Sequence, residues 1–215
     1  MSVTFEPGLL RAYFVAGSQD VPGRDLRDVL ATMLRAGITA FQFRDKGSSQ
    51  LTAAERLALG RDLRQQCQAA NVPFIVDDDV DLALALNADG VHVGQSDERI
   101  QQVLAATNSR QMFVGLSCST LAEVVAANQI DGIAYLGSGP IYPTVSKDDA
   151  DPVIGTDGLQ ALVEQAKVPI VAIGGITEES LPAIAQTGAA GVAIITLLTH
   201  NDQPERAVKA MLAAF

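Results

Sequence analysis

The sequence predicts an α/β protein folded as a closed (β/α)8 barrel, the TIM-barrel architecture, with residues 1–215 forming a single domain. Three observations lead there. Short apolar runs alternate with amphipathic stretches from one end of the chain to the other. Several runs are apolar at consecutive positions, the pattern of parallel strands buried on both faces. Three segments, Ala88-Asp89-Gly90-Val91, Ile130-Asp131-Gly132-Ile133 and Ala189-Ala190-Gly191-Val192, place a glycine just before such a run. There a missing Cβ lets the chain turn from a helix end into the sheet. About eight strand–helix units follow one another, and 215 residues are enough for eight parallel strands to close. A doubly wound open sheet is the runner-up.

The expected strands are residues 12–15, 40–43, 74–76, 91–93, 113–116, 133–136, 170–173 and 192–195. Helical patterns fill the gaps. Leu26, Val29, Leu30 and Met33 fall at i, i+3, i+4 and i+7, with Gly37 as the C-terminal cap. Thr52-Ala53-Ala54-Glu55 reads as a capping box, which opens the helix of Leu57 and Leu59. Val208, Met211, Leu212 and Phe215 repeat the helical spacing at the end of the chain, after Pro204.

Composition limits the function classes. The chain is 48% hydrophobic and carries a formal net charge of −10. That charge disfavours general attraction to nucleic acid or an anionic membrane. An anionic ligand must be held by a few local cations, metal ions or backbone amides. Cys67 and Cys118 supply neither a disulfide framework nor a paired metal motif. Met1 to Leu10 has no signal-peptide pattern, and no run reaches the roughly 20 apolar residues of a membrane span. A cytoplasmic location is expected.

In a (β/α)8 barrel the functional residues gather where strands end, so the strand ends are read in turn. The second is followed by Gln42-Phe43-Arg44-Asp45-Lys46, whose two cations could hold a pyrophosphate but, taken alone, read first as ordinary cations of a solvated loop. The third is followed by Asp77-Asp78-Asp79-Val80-Asp81 and the fourth by Gly94-Gln95-Ser96-Asp97. Asp79 and Asp81 fit a helix start. Asp78 and Asp97, read singly, are also caps. Read as a pair at adjacent strand ends, they form a two-carboxylate site for Mg²⁺. Ser117-Cys118-Ser119 follows the fifth strand, Gly174-Gly175-Ile176-Thr177 opens a helix after the seventh, and Thr196 follows the eighth. Glycines at such a turn expose backbone N–H groups to a phosphate. His92 reads as a packed core residue and His200 as surface. With two histidines in all, no Ser–His–Asp or Cys–His pair is placed for nucleophilic catalysis.

The sixth strand end is the most distinctive. Gly139-Pro140-Ile141-Tyr142-Pro143-Thr144-Val145-Ser146-Lys147 contains two prolines that make a shaped loop, then two hydroxyls and an ammonium within four residues. That is equipment for gripping a phosphate, although Thr144 to Lys147 taken alone reads first as a surface turn.

Together, Gln42 to Lys46, the block Asp77 to Asp97 with Gly90-Val91-His92-Val93-Gly94-Gln95, the loop Gly139 to Lys147 and Gly174-Gly175-Ile176 resemble the thiamine-phosphate synthase family of (β/α)8 enzymes. The resemblance runs from about Tyr13 to Thr196. It implies condensation of a hydroxymethylpyrimidine pyrophosphate with a thiazole phosphate, giving thiamine monophosphate and pyrophosphate by a dissociative substitution. It implies that Gln42, Phe43, Arg44, Asp45, Lys46, Asp77, Ser117 and Lys147 form the pyrimidine pyrophosphate site. Arg44, Lys46 and Lys147 would be the catalytic cations. Asp78 and Asp97 would hold Mg²⁺, and Thr144, Val145, Ser146, Gly175, Ile195 and Thr196 would hold the thiazole phosphate. Small phosphorylated molecules are the expected partners, with self-association open and neither nucleic acid nor membrane involved.

Four positions depart from the family pattern. Asp77 stands where Asn is usual, and is expected to be an outer-shell or additional Mg²⁺ ligand. Ser146 and Thr196 exchange one hydroxyl residue for another. Ser119 stands where His is common, and it cannot serve as a base near neutral pH. That argues against the paralogous thiazole tautomerase, whose catalytic His falls there. A non-catalytic phosphate-ligand barrel is a further alternative, disfavoured by the complete cation and carboxylate set.

Overall fold

In the computed structural model, which describes residues 3–95, 97–144, 152–201 and 203–215 and the backbone alone at 97–99, eight parallel strands close into a barrel. The order is β1 (Ala12–Ala16), α1 (Leu26–Ala36), β2 (Ala40–Phe43), α2 (Ala53–Ala70), β3 (Phe74–Asp77), α3 (Val80–Leu86), β4 (Gly90–Val93) and α4 (Asp97–Asn108). It continues through β5 (Phe113–Ser117), α5 (Leu121–Ala127), β6 (Ile133–Ser138), α6 (Gly155–Gln165), β7 (Ile170–Ile173) and α7 (Leu181–Gln186). The last elements are β8 (Gly191–Ile194), α8 (Thr196–Thr199) and α9 (Pro204–Ala214). Each strand pairs with the next, and β8 returns to β1 through Ala12↔Val192, Tyr13↔Ala193 and Phe14↔Ile194. The closure rules out the open sheet.

Local chemistry sets the helix ends. Asp25 accepts the Arg27 N–H to start α1, and Gly37 ends it at φ 96°. The Thr52–Glu55 capping box opens α2, and Asn71 closes it in the left-handed region at φ 55°. Asp79 accepts the Leu82 N–H and so caps α3, while Asp81 lies in the first turn. Ala207, Val208 and Met211 bury the inner face of α9, which packs on α1.

Two apolar layers explain the consecutive apolar positions. Alternate strand residues such as Phe14, Phe41, Leu116 and Leu136 face the helices. The others, including Tyr13, Val15, Ala40, Ile75, Val171 and Ala193, fill the barrel. The alternation slips once. Val114 pairs with Ile133 but Gly115 pairs with Tyr135, so β6 carries an extra residue there. Ala134 and Tyr135 consequently both lie with the inner layer.

The three repeated glycines serve different ends. Gly132 adopts φ +98°, a conformation L side chains rarely take. A Cβ on Gly90 would lie 2.4 Å from the Phe113 ring. A Cβ on Gly191 would lie 1.8 Å from the Leu10 carbonyl oxygen, because the segment leading into β1 crosses the barrel floor there. Two details differ from the sequence reading. Ile195 caps α8 instead of ending β8. A 3-10 turn at Glu178–Ser180 separates Gly174-Gly175 from α7. The floor is also held by Asp89, almost fully buried, which accepts from the Phe74 N–H at 2.9 Å and pairs with Arg64 at 3.1 Å.

The close backbone contact at Gly191 yields a test. Gly191→Ala is expected to destabilise the fold by about 2 kcal/mol or more, because backbone on both sides must shift. That corresponds to a fall of roughly 5 °C in the melting midpoint. Gly8→Ala, whose Cβ would meet nothing within 4 Å, is the control and stays within about 0.5 kcal/mol. Equal midpoints for the two variants would contradict the contact.

Candidate active site

The C-terminal ends of the strands surround a cavity of about 650 Å³. Its most charged wall is built by the turns after β2, β3 and β4. Asp78 follows β3 in the left-handed region at φ 56°, and its N–H donates to the His92 carbonyl at 2.8 Å. Its Oδ1 accepts the Gly94 N–H at 3.2 Å, which ties the β3 turn to the β4 turn. Its Oδ2 lies 2.5 Å from Lys46 Nζ. The same ammonium lies 2.6 Å from Asp77 Oδ2, and Arg44 Nε approaches that oxygen at 3.5 Å. Among the described residues, buried Asp77 Oδ2 has no aligned hydrogen bond, so these two contacts are ionic.

The charges shift one another. Burial alone would lower the Lys46 pKa, but Asp77 and Asp78 outweigh it and the net shift is upward. Burial alone would raise the Asp78 pKa, and Lys46 with the Gly94 N–H reverses it. Lysine and carboxylate therefore hold each other ionised.

Asp45 and Phe43 belong to the scaffold by their side chains. Asp45 Oδ1 accepts from the Ser18 N–H at 2.9 Å and the Ser18 hydroxyl at 2.5 Å, and Oδ2 accepts from Ser49 at 2.7 Å. Gln19 donates to the Arg44 carbonyl at 2.7 Å. The β1 loop thus clamps the backbone that carries Arg44 and Lys46. Phe43 is buried in the outer layer against the helices.

The opposite wall comes from the loops after β6 and β7, which dock backbone to backbone. The Ile141 N–H donates to the Ile173 carbonyl and the Tyr142 N–H to the Gly174 carbonyl, both at 3.0 Å. A Cβ on Gly174 would lie 2.6 Å from Pro140, and one on Gly175 would lie 2.6 Å from the Tyr142 and Pro143 carbonyl oxygens. Both glycines have positive φ. Their first task is this docking; Thr144 and Gly175 from these loops line the cavity, as do Ile195 and Thr196 after β8. Ser119 donates to the Gly139 carbonyl at 2.7 Å and so ties the β5 loop to β6.

The cavity floor is polar on the β1–β5 side. Gln42 Nε2 donates to Tyr13 Oη at 2.8 Å, and Tyr13 Oη lies 2.9 Å from Tyr135 Oη. His92 bridges Tyr135 Oη at 3.1 Å and Ser117 Oγ at 3.0 Å. His92 is packed, as its strand position suggests, but it also lines the cavity, as does Tyr13. Sequence reasoning left both out of the site. Inward placement on a strand could have marked them.

Of the residues singled out from sequence, Gln42, Arg44, Lys46, Asp77, Asp78, Ser117, Thr144, Gly175, Ile195 and Thr196 line this one cavity. Val145, Ser146, Lys147 and the side chain of Asp97 lie outside the described residues. No group of three or more metal-ligating side chains occurs among the described residues. No described helix is long and apolar enough to cross a membrane.

The sequence matches the family model for thiamine monophosphate synthase over residues 12–198. The chain belongs to that family. It is 74% identical to the thiamine-phosphate synthase of Levilactobacillus brevis, covering 100% of this chain and 99% of that one. It is 64% identical to the thiamine-phosphate synthase of Lactiplantibacillus plantarum, covering 100% and 98%. Among solved structures, thiamine phosphate pyrophosphorylase from Pyrococcus furiosus superimposes with a TM-score of 0.82 at 32% identity, covering 97% of this chain and 96% of that one. The barrel is thus that of a thiamine monophosphate synthase family transferase, and the cavity occupies the usual active-site face of the fold.

Neither cysteine is poised to react. Burial pushes the Cys118 thiol up to about 12, and burial raises Cys67 as well. A raised thiol pKa leaves the inert protonated form dominant at pH 8. A disulfide reagent at pH 8 is expected to find no fast-reacting thiol in the native protein and two after unfolding. A rapid stoichiometric reaction of the native protein would contradict this environment.

Proposed function

We propose that this family member condenses 4-amino-2-methyl-5-hydroxymethylpyrimidine pyrophosphate with 4-methyl-5-(2-phosphoethyl)thiazole, giving thiamine monophosphate and pyrophosphate. The observation that carries this reading is the Arg44–Lys46–Asp77–Asp78 cluster, which faces the docked β6 and β7 loops across one cavity. Two anion-binding walls suit two phosphorylated substrates.

The C–O bond between the pyrimidine methylene and the pyrophosphate breaks, and its electron pair leaves with the pyrophosphate oxygen. The thiazole nitrogen lone pair then closes a C–N bond on the pyrimidinylmethyl cation. Arg44, Lys46 and Lys147 stabilise the negative charge that develops on the leaving group. Gln42 and Ser117 hold the pyrimidine. Thr144, Val145, Ser146, Gly175, Ile195 and Thr196 hold the thiazole phosphate. Alignment of the two reactants supplies much of the rate, and no protein nucleophile is required.

Asp78 and Asp97 would hold Mg²⁺. Asp78 is half-buried at the cavity with carboxylate oxygens, the donor type a hard divalent ion takes. When bound, the ion neutralises pyrophosphate charge. Asp77 serves instead as the resting counter-ion of Lys46 and Arg44, which its Oδ2 approaches. We place the protein in the cytoplasm, acting on small molecules without a nucleic-acid or membrane partner.

Incubation of both substrates with Mg²⁺ is expected to yield thiamine monophosphate and pyrophosphate in equal amounts. Absence of product, with each substrate bound, would sink the reading. Asp77→Asn removes a carboxylate that competes for the cations. It is expected to lower the KM for the pyrimidine pyrophosphate severalfold and leave the half-saturating Mg²⁺ concentration unchanged. A shifted Mg²⁺ dependence would return Asp77 to the metal shell.

A further inference from the structure

The hydrogen bonds beneath the cavity link Gln42, Tyr13, Tyr135, His92 and Ser117 in series across β2, β1, β6, β4 and β5. Tyr135 is fully buried and does not line the cavity. The two ends of the series, Gln42 and Ser117, do line it.

Proton counting fixes the direction. The Gln42 amide donates to Tyr13 Oη, so the Tyr13 proton needs another acceptor. Tyr135 Oη is that acceptor among the described residues, at 2.9 Å. The Tyr135 proton then goes to His92 Nδ1, at 3.1 Å. His92 consequently carries its proton on Nε2 and donates to Ser117 Oγ at 3.0 Å. With the Gln42 amide oriented this way, reversing any single link, or charging His92, leaves a buried phenol proton without an acceptor, which is costly. Burial also keeps both phenols protonated, so each has one proton to give.

The surrounding backbone has been cleared for this series. A Cβ on Gly115 would lie 2.2 Å from the Tyr135 ring and 2.6 Å from His92 Nδ1. A Cβ on Gly137 would lie 2.9 Å from His92 Cε1. The extra residue in β6 brings Tyr135 inward, opposite Gly115. Two glycines and a strand irregularity therefore converge on one tyrosine–histidine hydrogen bond.

We propose that this series is a one-way positioning relay for the pyrimidine ring. Because His92 donates to Ser117, the one Ser117 proton is directed to an acceptor in the cavity. Because Gln42 spends one N–H on Tyr13, its amide is held in a single orientation. An aminopyrimidine carries ring-nitrogen acceptors beside an amino donor, and a fixed donor at Ser117 with a fixed amide at Gln42 reads that edge. Tyr135 and His92 are positioning residues that act through Ser117. The inference rests on the synthase reading above.

The test uses the full chain and four proteins: wild type, Tyr135→Phe, Ser117→Ala and the double variant. Tyr135→Phe keeps the ring and removes the linking hydroxyl. It is expected to raise the KM for the pyrimidine pyrophosphate about tenfold, the scale of one lost oriented hydrogen bond. The KM for the thiazole phosphate and the inhibition constant of inorganic pyrophosphate stay near wild type, while the melting midpoint falls by a few degrees because the buried Tyr13 proton loses its acceptor. The double variant is expected to be no worse than Ser117→Ala, since both act at one hydroxyl. Equal rises in both KM values, weaker pyrophosphate inhibition, or additive losses in the double variant would overturn the relay. Should Tyr135→Phe fold poorly, His92→Gln breaks the next link and must give the same pyrimidine-only effect. A wild-type protein that forms no thiamine monophosphate sinks the synthase reading, and the relay with it. An active wild type with an unaltered pyrimidine KM in Tyr135→Phe sinks the relay alone.

Discussion

Charge balance at the cavity mouth is the constraint on which the site depends. The chain carries a net charge of −10, yet its proposed ligands are anions. Lys46 stands between Asp77 and Asp78, with Arg44 beside Asp77. These side chains are partly or largely withdrawn from water, so each charge needs a partner. The carboxylates supply one in the resting protein and keep two long cationic side chains ordered. In the proposed reaction an arriving pyrophosphate would replace the carboxylates as the anionic partner of Lys46 and Arg44. The cost is competition, because the carboxylates resist what the cations attract.

The opposite wall solves a different problem. A phosphate held by backbone groups needs two loops brought close, and side chains at the contact would hold them apart. Gly174 and Gly175 remove that obstacle, so the β7 loop rests directly on Pro140, Tyr142 and Pro143. Gly115 and Gly137 do the same inside the barrel, where they make room for His92 and Tyr135. In both places glycine defines the shape of a polar surface by the volume it leaves.

Much of this was legible in the sequence. Consecutive apolar runs marked all eight strands, because a barrel strand is buried on both faces. Barrel topology then put the residues after each strand on one face, which is why Arg44, Asp78, Ser117 and Thr144 could be grouped before any coordinates. What stayed hidden depends on contacts across the barrel. Asp45 sits between Arg44 and Lys46 in sequence, but its carboxylate turns to Ser18 and Ser49. His92 reads as a core residue because its role rests on Tyr135 and Ser117, 43 and 25 residues away. Tyr135 itself faces inward through an irregularity in β6, and no local pattern announces that. Asp77 reads as one carboxylate of three. Its partnership with Lys46 follows from β2 and β3 being paired neighbours in the barrel.

The ionisable groups around the barrel also narrow how chemistry can proceed. Covalent catalysis needs a nucleophile activated by a lowered pKa or an adjacent base. Burial moves the available groups the other way: Cys118 to about 12, with Cys67, Tyr13 and Tyr135 also raised. Ser119 spends its hydroxyl on the Gly139 carbonyl, and Ser117 receives a hydrogen bond from His92 in the proposed direction, so neither is prepared to attack. The groups held ionised are Lys46 and Asp78, on the wall proposed for the leaving pyrophosphate. A site that keeps its nucleophiles protonated and its fixed charges paired at the mouth suits bond cleavage by electrostatic stabilisation. In the proposed reaction the incoming thiazole supplies the electron pair, which leaves the protein the work of holding two rings in line.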